Sequence, residues 1–229
     1  SWTSASRVDS TITLSDLALT NTATYYVSVR AVDSVANVSS TITSDGFTLD
    51  LDIPTIYYVN EGSIATDIDI QNVDSTLSAS WLGTDIIPGS GINYYEIALG
   101  TAAGDSSIID WYQTDQTYAL DTLINADSLT LVDGYTYFVS VRVTDVAGNR
   151  SNVLSGDGIL IDLTPPLTGS VHDGSAADIQ FTSSTTTLTA NWFGFSDTVS
   201  SIVLYEVALG DDSVRTDNIV PWDSVGMST

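Results

Sequence analysis

Apolar and polar residues alternate along several short segments of this chain. One segment presents an apolar face at every second position, formed by Tyr135, Tyr137, Val139, Val141 and Val143. Three more segments present faces of the same period, formed by Leu77, Ala79 and Trp81, by Tyr95, Ile97 and Leu99, and by Ile159, Ile161 and Leu163. A period of two is typical of β-strands with one buried face. Because clusters of Asp, Gly, Asn and Ser separate these segments, the pattern predicts an all-β fold.

The chain also repeats itself after about 112 residues. Residues 25–33, with the sequence YYVSVRAVD, return as residues 137–145, with the sequence YFVSVRVTD. Further matches join residues 77–81 to 188–192, residues 95–100 to 205–210, and Trp111 to Trp222. Several short strands in a unit of this length are typical of a seven-stranded sandwich.

The amino-acid composition of the chain argues against some classes of binding partner. The 229 residues include 29 acidic side chains and 5 arginines, with no lysine, which gives a formal net charge of −24. Such a polyanion is repelled by nucleic-acid phosphates and by anionic lipid, so we expect no nucleic-acid partner. No apolar run approaches the roughly 18 residues of a membrane span, so we expect no membrane insertion. With 43% hydrophobic residues, the chain still has enough apolar material for packed cores.

Three motifs resemble those of known extracellular modules. Leu131, Gly134 and Tyr137 have the spacing of the Leu-x-x-Gly-x-x-Tyr tyrosine corner, and the earlier copy has Thr22 in place of the glycine. The turn at 145–149 and the junction at 162–166 complete the pattern. The sequence thus resembles fibronectin type III and bacterial immunoglobulin-like modules along essentially its whole length. The resemblance implies tandem seven-stranded immunoglobulin-like sandwiches at the cell surface or outside the cell.

The module template predicts one complete and two half modules. Residues 1–53 would supply strands E to G of one module, residues 54–165 a complete module, and residues 166–229 strands A to C′ of another. Half a sandwich exposes an apolar face and open strand edges. We therefore expect copies to meet head to tail, through a covalent tandem or through strand complementation between subunits. The residues expected at this contact are Tyr25, Val27, Val29, Trp192, Tyr205 and Val207.

Aspartates gather around the two predicted junctions. The candidate ligands for Ca²⁺ are Asp45, Asp50, Asp52, Asp157 and Asp162, with Glu61 and Asp173 close by in sequence. Carboxylates converging with backbone carbonyls are what Ca²⁺ requires, and a bound ion would stiffen the linker. The alternative is that Asp ends strands and solvates an acidic surface. We expect no other cofactor.

No catalytic constellation stands out. The single histidine, His172, corresponds to Asn60 of the other copy, and we expect it in a solvated turn. Glu96 and Glu206 belong to different predicted modules, so they do not form a carboxylate pair, and we expect them to pair with Arg30 or Arg142. The chain is therefore not expected to be an enzyme.

Two functions remain. The first is a structural repeat unit of an extracellular fibre or cell-surface array, acting as a filament body, spacer or adhesin stalk. The second is a carbohydrate-binding accessory region of a secreted enzyme, with polysaccharide held by exposed aromatic residues. The aromatic candidates are Tyr57, Tyr58, Tyr94 and Trp111.

Overall fold

The computed structural model describes residues 10–63, 66–114, 122–124, 129–214 and 216–226. These residues form eighteen β-strands in several sheets and no α-helix, which confirms the predicted all-β class and is consistent with a β-sandwich. In the same described ranges, no helix has the length and apolar character needed to cross a membrane.

Eight strands of two to seven residues lie toward the two ends of the described chain. Those before residue 54 are β1 (Thr24–Tyr25), β2 (Ser28–Val29), β3 (Ile42–Thr43) and β4 (Phe47–Thr48). Those after residue 165 are β15 (Ser170–Asp173), β16 (Ala190–Phe193), β17 (Leu204–Leu209) and β18 (Val220–Gly226). Each forms a two-stranded antiparallel pair: β1 with β4, β2 with β3, β15 with β16, and β17 with β18.

The central part of the chain contains the other ten strands. They are β5 (Thr55–Ser63), β6 (Thr66–Asp67), β7 (Ile70–Gln71), β8 (Leu77–Thr84), β9 (Ile92–Gly100), β10 (Ile109–Thr114), β11 (Thr122–Ile124), β12 (Thr136–Asp145), β13 (Leu154–Ser155) and β14 (Ile159–Ile161). One sheet has the order β11-β8-β5-β6. Another has the order β10-β9-β12-β14-β7, with β13 also paired to β12. Its β14 and β7 run parallel.

The chain divides into two compact units. The first comprises Ser1–Asp67, Ser78–Leu123 and Phe138–Gly158, and the second comprises Ile68–Leu77, Ile124–Tyr137 and Ile159–Thr229. The module boundaries at residues 53/54 and 165/166 follow the sequence repeat instead, and they stay a prediction.

The core of the first unit lies between strands of two sheets. Its fully buried apolar side chains are Ala79, Trp81, Tyr95, Ile97, Ala98, Leu99, Val139, Val141 and Val143. The rings of Trp81 on β8 and Tyr95 on β9 meet edge to face, with centroids 6.0 Å apart. Burial of alternate positions follows from the pleat of each strand, which turns successive side chains to opposite faces.

The second unit has a smaller core. Its buried apolar side chains are Leu77, Leu129, Leu131, Tyr137, Ile159 and Ile161. Two predicted core residues are wrong: Tyr135 is 57% exposed and Leu163 is 39% exposed. Both lie outside the strands, because β12 begins at residue 136 and β14 ends at residue 161. In both cases the alternation of apolar residues in the sequence extends beyond the end of the paired strand.

Equivalent strand pairs recur about 112 residues apart with the same register. The matching pairs are Tyr25↔Phe47 with Tyr137↔Ile159, Val29↔Ile42 with Val141↔Leu154, Val59↔Trp81 with Val171↔Trp192, and Leu99↔Ile109 with Leu209↔Val220. The sequence similarity therefore corresponds to similar local structure at both ends of the described chain.

The tyrosine corner recurs as well. The backbone N–H of Val132 donates to the Tyr137 hydroxyl at 2.9 Å, and the N–H of Thr20 donates to the Tyr25 hydroxyl at 2.7 Å. Gly134 has a φ of 76°, and Thr22, which stands in its place, has a φ of 65°. A β-branched residue in this left-handed region is strained, so the turn keeps its shape at a cost when the glycine is replaced.

Candidate functional site: an acidic cluster and two open strand edges

Three aspartates from distant parts of the sequence meet beside the first predicted junction. Asp50 follows β4, Asp85 follows β8, and Asp145 is the last residue of β12. One carboxylate oxygen from each lies within 4.8 Å of the others, and we call this set the junction cluster. Asp145 is fully buried and Asp50 is nearly so. Two buried carboxylates at this distance repel each other strongly unless a cation or a proton offsets their charge.

Backbone N–H groups hold the junction cluster in place. Asp50 accepts from the N–H of Ser90 at 2.6 Å, and Asp85 accepts from the N–H of Gly91 at 2.7 Å. Hydrogen bonds from Ser90 lower the pKa of Asp50 below its ordinary value. These carboxylates are therefore fixed oxygen donors of the kind that Ca²⁺ binds.

Asp145 anchors a local turn. Its two carboxylate oxygens accept from the backbone N–H of Asn149 at 2.7 Å and from the Asn149 side-chain amide at 2.8 Å. Asp33 and Asn37 make the same two bonds at 2.8 and 2.7 Å. Side chains of Asp often close loops in this way. The asparagine side chain therefore has a structural role in both copies.

The sequence identified only one member of the junction cluster. Asp50 is one of the five predicted Ca²⁺ ligands, whereas Asp85 and Asp145 are not among them. Asp85 stands at the start of a loop rich in Pro and Gly, and Asp145 stands four residues before the turn asparagine. Each position has a local explanation as a turn residue, so no sequence signal distinguished them as ligands.

The other four predicted Ca²⁺ ligands lie in different surroundings. Asp52 accepts from the side-chain amide of Asn21 at 2.9 Å, and Asp45 is exposed. Asp162 accepts from the N–H of Thr164 at 3.1 Å. Among the described residues, the second acidic group consists of Asp157 with Glu61 and Asp67. The five residues are thus distributed over separate places, and Ca²⁺ binding stays a prediction.

Glu61 is a buried structural carboxylate. It lies in β5, is fully buried, and accepts from the N–H groups of Val139 at 2.9 Å and Gly158 at 3.3 Å. Burial raises the pKa of this side chain. A Cβ atom on Gly156 would overlap the Glu61 carboxylate, so the glycine is what makes room for the acid. Glu61 thereby links β5 of one sheet to β12 of the other.

Glu96 forms an ion pair on the outward face of β9. The Arg142 guanidinium donates two hydrogen bonds to its carboxylate, both at 2.9 Å, and Arg150 lies 3.1 Å away. The hydrogen bonds from Arg142 lower the pKa of Glu96. The same guanidinium lies over the Trp111 ring, 4.2 Å from its centroid. The expected pairing of Glu96 with Arg142 is therefore confirmed.

The single histidine lies in a strand, so the predicted turn position is wrong. His172 is part of β15, opposite Asn191 of β16, and its ring meets that of Phe193 with centroids 5.0 Å apart. Two strands of four residues were too short to separate from the turn in the sequence pattern.

The four aromatic candidates for polysaccharide binding do not share one surface pattern. Tyr57 is 63% exposed and its neighbour Tyr58 is half-buried, at a register shift in the pairing of β5 with β8. Tyr94 lies in β9, in another sheet. One face of Trp111 is covered by Arg142. Polysaccharide binding stays a prediction.

The predicted contact residues lie in or beside the short strand pairs at the two ends of the described chain. Tyr25 lies in β1 and is half-buried, Val29 lies in β2 and is 63% exposed, and Val27, just before β2, is 45% exposed. The rings of Trp192 in β16 and Tyr205 in β17 pack with centroids 5.5 Å apart, and Val207 is half-buried. The contact between copies stays a prediction.

No protein-family model matches this chain, and no curated protein matches its sequence.

Proposed function

We propose that this chain belongs to a structural array of tandem immunoglobulin-like modules, similar to fibronectin type III modules, in an extracellular fibre or at the cell surface. The array acts as a filament body, spacer or adhesin stalk. The observation that carries the proposal is the recurrence of strand pairs in the same register about 112 residues apart. A repeated load-bearing unit requires such repetition, whereas a single binding or catalytic domain does not.

The strand order supports the module type. Lettered along the module, β5, β8 and β11 become strands A, B and E, and β9, β10, β12 and β14 become C, C′, F and G. The observed orders β11-β8-β5 and β10-β9-β12-β14 then read E-B-A and C′-C-F-G. Immunoglobulin-like sandwiches distribute A, B and E to one sheet and C, F and G to the other.

The first predicted junction is tied to the loops that follow it. Asp50 accepts a hydrogen bond from Ser90, and the Asn149 side chain donates to the Asp50 carbonyl at 3.1 Å. Contacts of this kind restrict the angle between successive modules, which is the property that a spacer or stalk needs. The mechanism of the array is therefore mechanical: sandwich cores resist deformation, and the junction contacts limit bending.

The proposed partner is another copy of the same kind of module, joined head to tail as a covalent tandem or by strand complementation. Tyr25, Val27 and Val29 belong to one side of this contact. Trp192, Tyr205 and Val207 belong to the other. Exposure of Val27 and Val29 supports a partner, because pairing of open edges removes such surface from water.

Limited proteolysis of the purified chain tests the modular account. We expect cleavage to begin before residue 54 and after residue 165, and a resistant fragment close to 54–165 to persist in the mass spectrum. Electron microscopy of the same preparation would show whether filaments form. Equal resistance along the whole chain would contradict the modular account.

A further inference from the structure

We propose that the tyrosine-corner turn of each module binds the linker that follows it through a matched pair of side chains. The pairs are Asn21 with Asp52 at the first predicted junction and Asp133 with Thr164 at the second. This inference rests on the proposed function, and it specifies the partner of each turn as a linker whose side chain has the complementary hydrogen-bonding character.

The backbone meets the turn in the same way at both junctions. Thr22 in the first turn donates its N–H to the carbonyl of Leu49 at 2.7 Å. Gly134 in the second turn donates its N–H to the carbonyl of Ile161 at 2.8 Å. These donors and acceptors are equivalent in the repeat of about 112 residues. The side-chain pairs that flank them can therefore be compared directly.

One oxygen of the turn side chain has the same role at both junctions. The Asn21 Oδ1 atom accepts from the backbone N–H of Leu51 at 2.9 Å, and the Asp133 Oδ1 atom accepts from that of Leu163 at 2.7 Å. Asparagine and aspartate both offer such an oxygen, so this bond does not discriminate between linkers. It holds the turn side chain in place, with its second polar atom next to the following linker residue.

The second polar atom of the turn side chain has opposite character at the two junctions. The Asn21 amide nitrogen donates to the Asp52 carboxylate at 2.9 Å. The second carboxylate oxygen of Asp133 instead accepts from the Thr164 hydroxyl. All four side chains are half-buried, so water replaces a missing partner only in part. A donor in the turn thus meets an acceptor in the linker, and an acceptor in the turn meets a donor.

The matching of turn to linker is asymmetric, because a hydroxyl group can donate or accept whereas an ionised carboxylate can only accept. Threonine in the linker therefore suits either turn residue. Aspartate in the linker suits asparagine alone, since aspartate in the turn would place two negative charges at hydrogen-bond distance with no proton between them. The excluded combination is thus aspartate at both positions, and it determines which turn can precede which linker.

Hydrogen exchange of the Leu51 amide in the full chain, followed by NMR, tests the pair at the first junction. N21D places aspartate opposite Asp52, and we expect it to speed exchange of this amide about tenfold or more. D52T alone should change the rate by about threefold or less, because a hydroxyl can accept from the Asn21 amide. N21D/D52T should return to within about threefold of the wild-type rate, because it reproduces the pair of the second junction.

The second junction provides the reciprocal experiment. T164D places aspartate opposite Asp133 and should speed exchange of the Leu163 amide about tenfold or more, and D133N/T164D should restore the rate to within about threefold. In each series the amide of the other junction is an internal control and should keep its wild-type rate. N152D adds the same charge as N21D at an exposed position, and it should change neither amide. Circular dichroism checks folding, and where a single variant fails to fold, the matched double variant should recover the folded signal.

The outcomes distinguish this inference from the proposed function. Double variants that stay as fast as the single variants, or that stay unfolded, overturn the matched pairs. Equal acceleration by N21D and D52T overturns the asymmetry, and so does a wild-type chain whose Leu51 and Leu163 amides exchange at the rate of unprotected amides. A missing resistant fragment near 54–165 overturns the proposed function, whatever the exchange rates at the two junctions.

Discussion

Residues 10–53 and their equivalents in residues 122–165 share strand pairs, a tyrosine corner and an Asp–Asn turn, yet they differ in burial. Val139 is 0% exposed, while its equivalent Val27 is 45% exposed. The shared features depend on contacts close in sequence, such as the bonds of Asp33 to Asn37. Burial of Val139 depends on β5 and β9, which come from earlier in the chain. Local pairing is thus encoded within each segment, but a core requires strands from elsewhere.

The largest expected effect comes from charging equivalent core positions. V139D buries an unpaired carboxylate, so we expect it to lower the free energy of unfolding by about 4 kcal/mol or more. V27D should change the stability of the dilute chain by about 0.5 kcal/mol or less, because its side chain reaches water. Urea titration measures both. V27D should abolish assembly at high concentration while sparing residues 54–165. Equal loss of stability in the two variants would remove the distinction between the regions.

A smaller effect is expected from Ca²⁺ binding at the junction cluster, and the equivalent turn at Asp33 provides the control. If Ca²⁺ binds Asp50, Asp85 and Asp145, free Ca²⁺ at about 100 times its Kd raises the free energy of unfolding by about 2.7 kcal/mol. We expect EDTA to reverse the shift in melting temperature. D145N should abolish the shift, and D33N, which changes the equivalent turn, should retain it. An unchanged melting temperature in EDTA would dismiss the Ca²⁺ prediction.

Exchange of the turn residues Gly134 and Thr22 is expected to change the free energy of unfolding by a still smaller amount. G134T places a β-branched residue at a φ of 76°, and we expect a loss of about 1–2 kcal/mol in the free energy of unfolding. No atom lies within 4 Å of a Cβ at this position, so the loss reflects backbone strain alone. T22G relieves the equivalent strain, but the greater freedom of glycine in the unfolded chain offsets part of the gain. Thermal unfolding of both variants measures the difference. Stabilisation by G134T would contradict the assigned geometry.

The last prediction concerns the pH dependence of the free energy of unfolding. Burial raises the pKa of Glu61 above its ordinary value of 4.5. The folded chain therefore binds more protons than the unfolded chain between the two pKa values, and its stability falls as pH rises through that window. E61Q lacks the titrating group, so the difference in stability between wild type and E61Q should vary with pH there and become constant above it. Parallel pH profiles would contradict the raised pKa.

Much of the core was predictable because strand alternation is local. Trp81, Ile97 and Val141 occupy the buried positions that the period of two indicated. The ends of the strands were harder to predict, since Tyr135 continues the period of two but precedes the first residue of β12. The sequence pattern around His172 did not indicate that this residue belongs to a strand.

The candidate site was harder to predict because it brings distant residues together. Asp50 and Asp145 are separated by nearly a whole repeat, and each has a local role that explains its presence. Glu61 follows the predicted junction in sequence, and its carboxylate lies between the sheets, where backbone N–H groups bind it. The same carboxylate lies within 4.8 Å of those of Asp67 and Asp157, a convergence that the sequence spacing does not indicate. An acidic sequence contains too many carboxylates for spacing alone to identify which ones converge.

The steric dependence of Glu61 on Gly156 also constrains how such modules diverge. A side chain at position 156 requires the Glu61 carboxylate to move away from the N–H groups of Val139 and Gly158. The equivalent positions hold the shorter acid Asp173 and the larger residue Ser44. Recombination that combined Glu61 with a serine at position 156 would place two groups in one volume. The pair therefore acts as a compatibility rule for exchanging module halves during evolution, and it applies equally to engineered arrays.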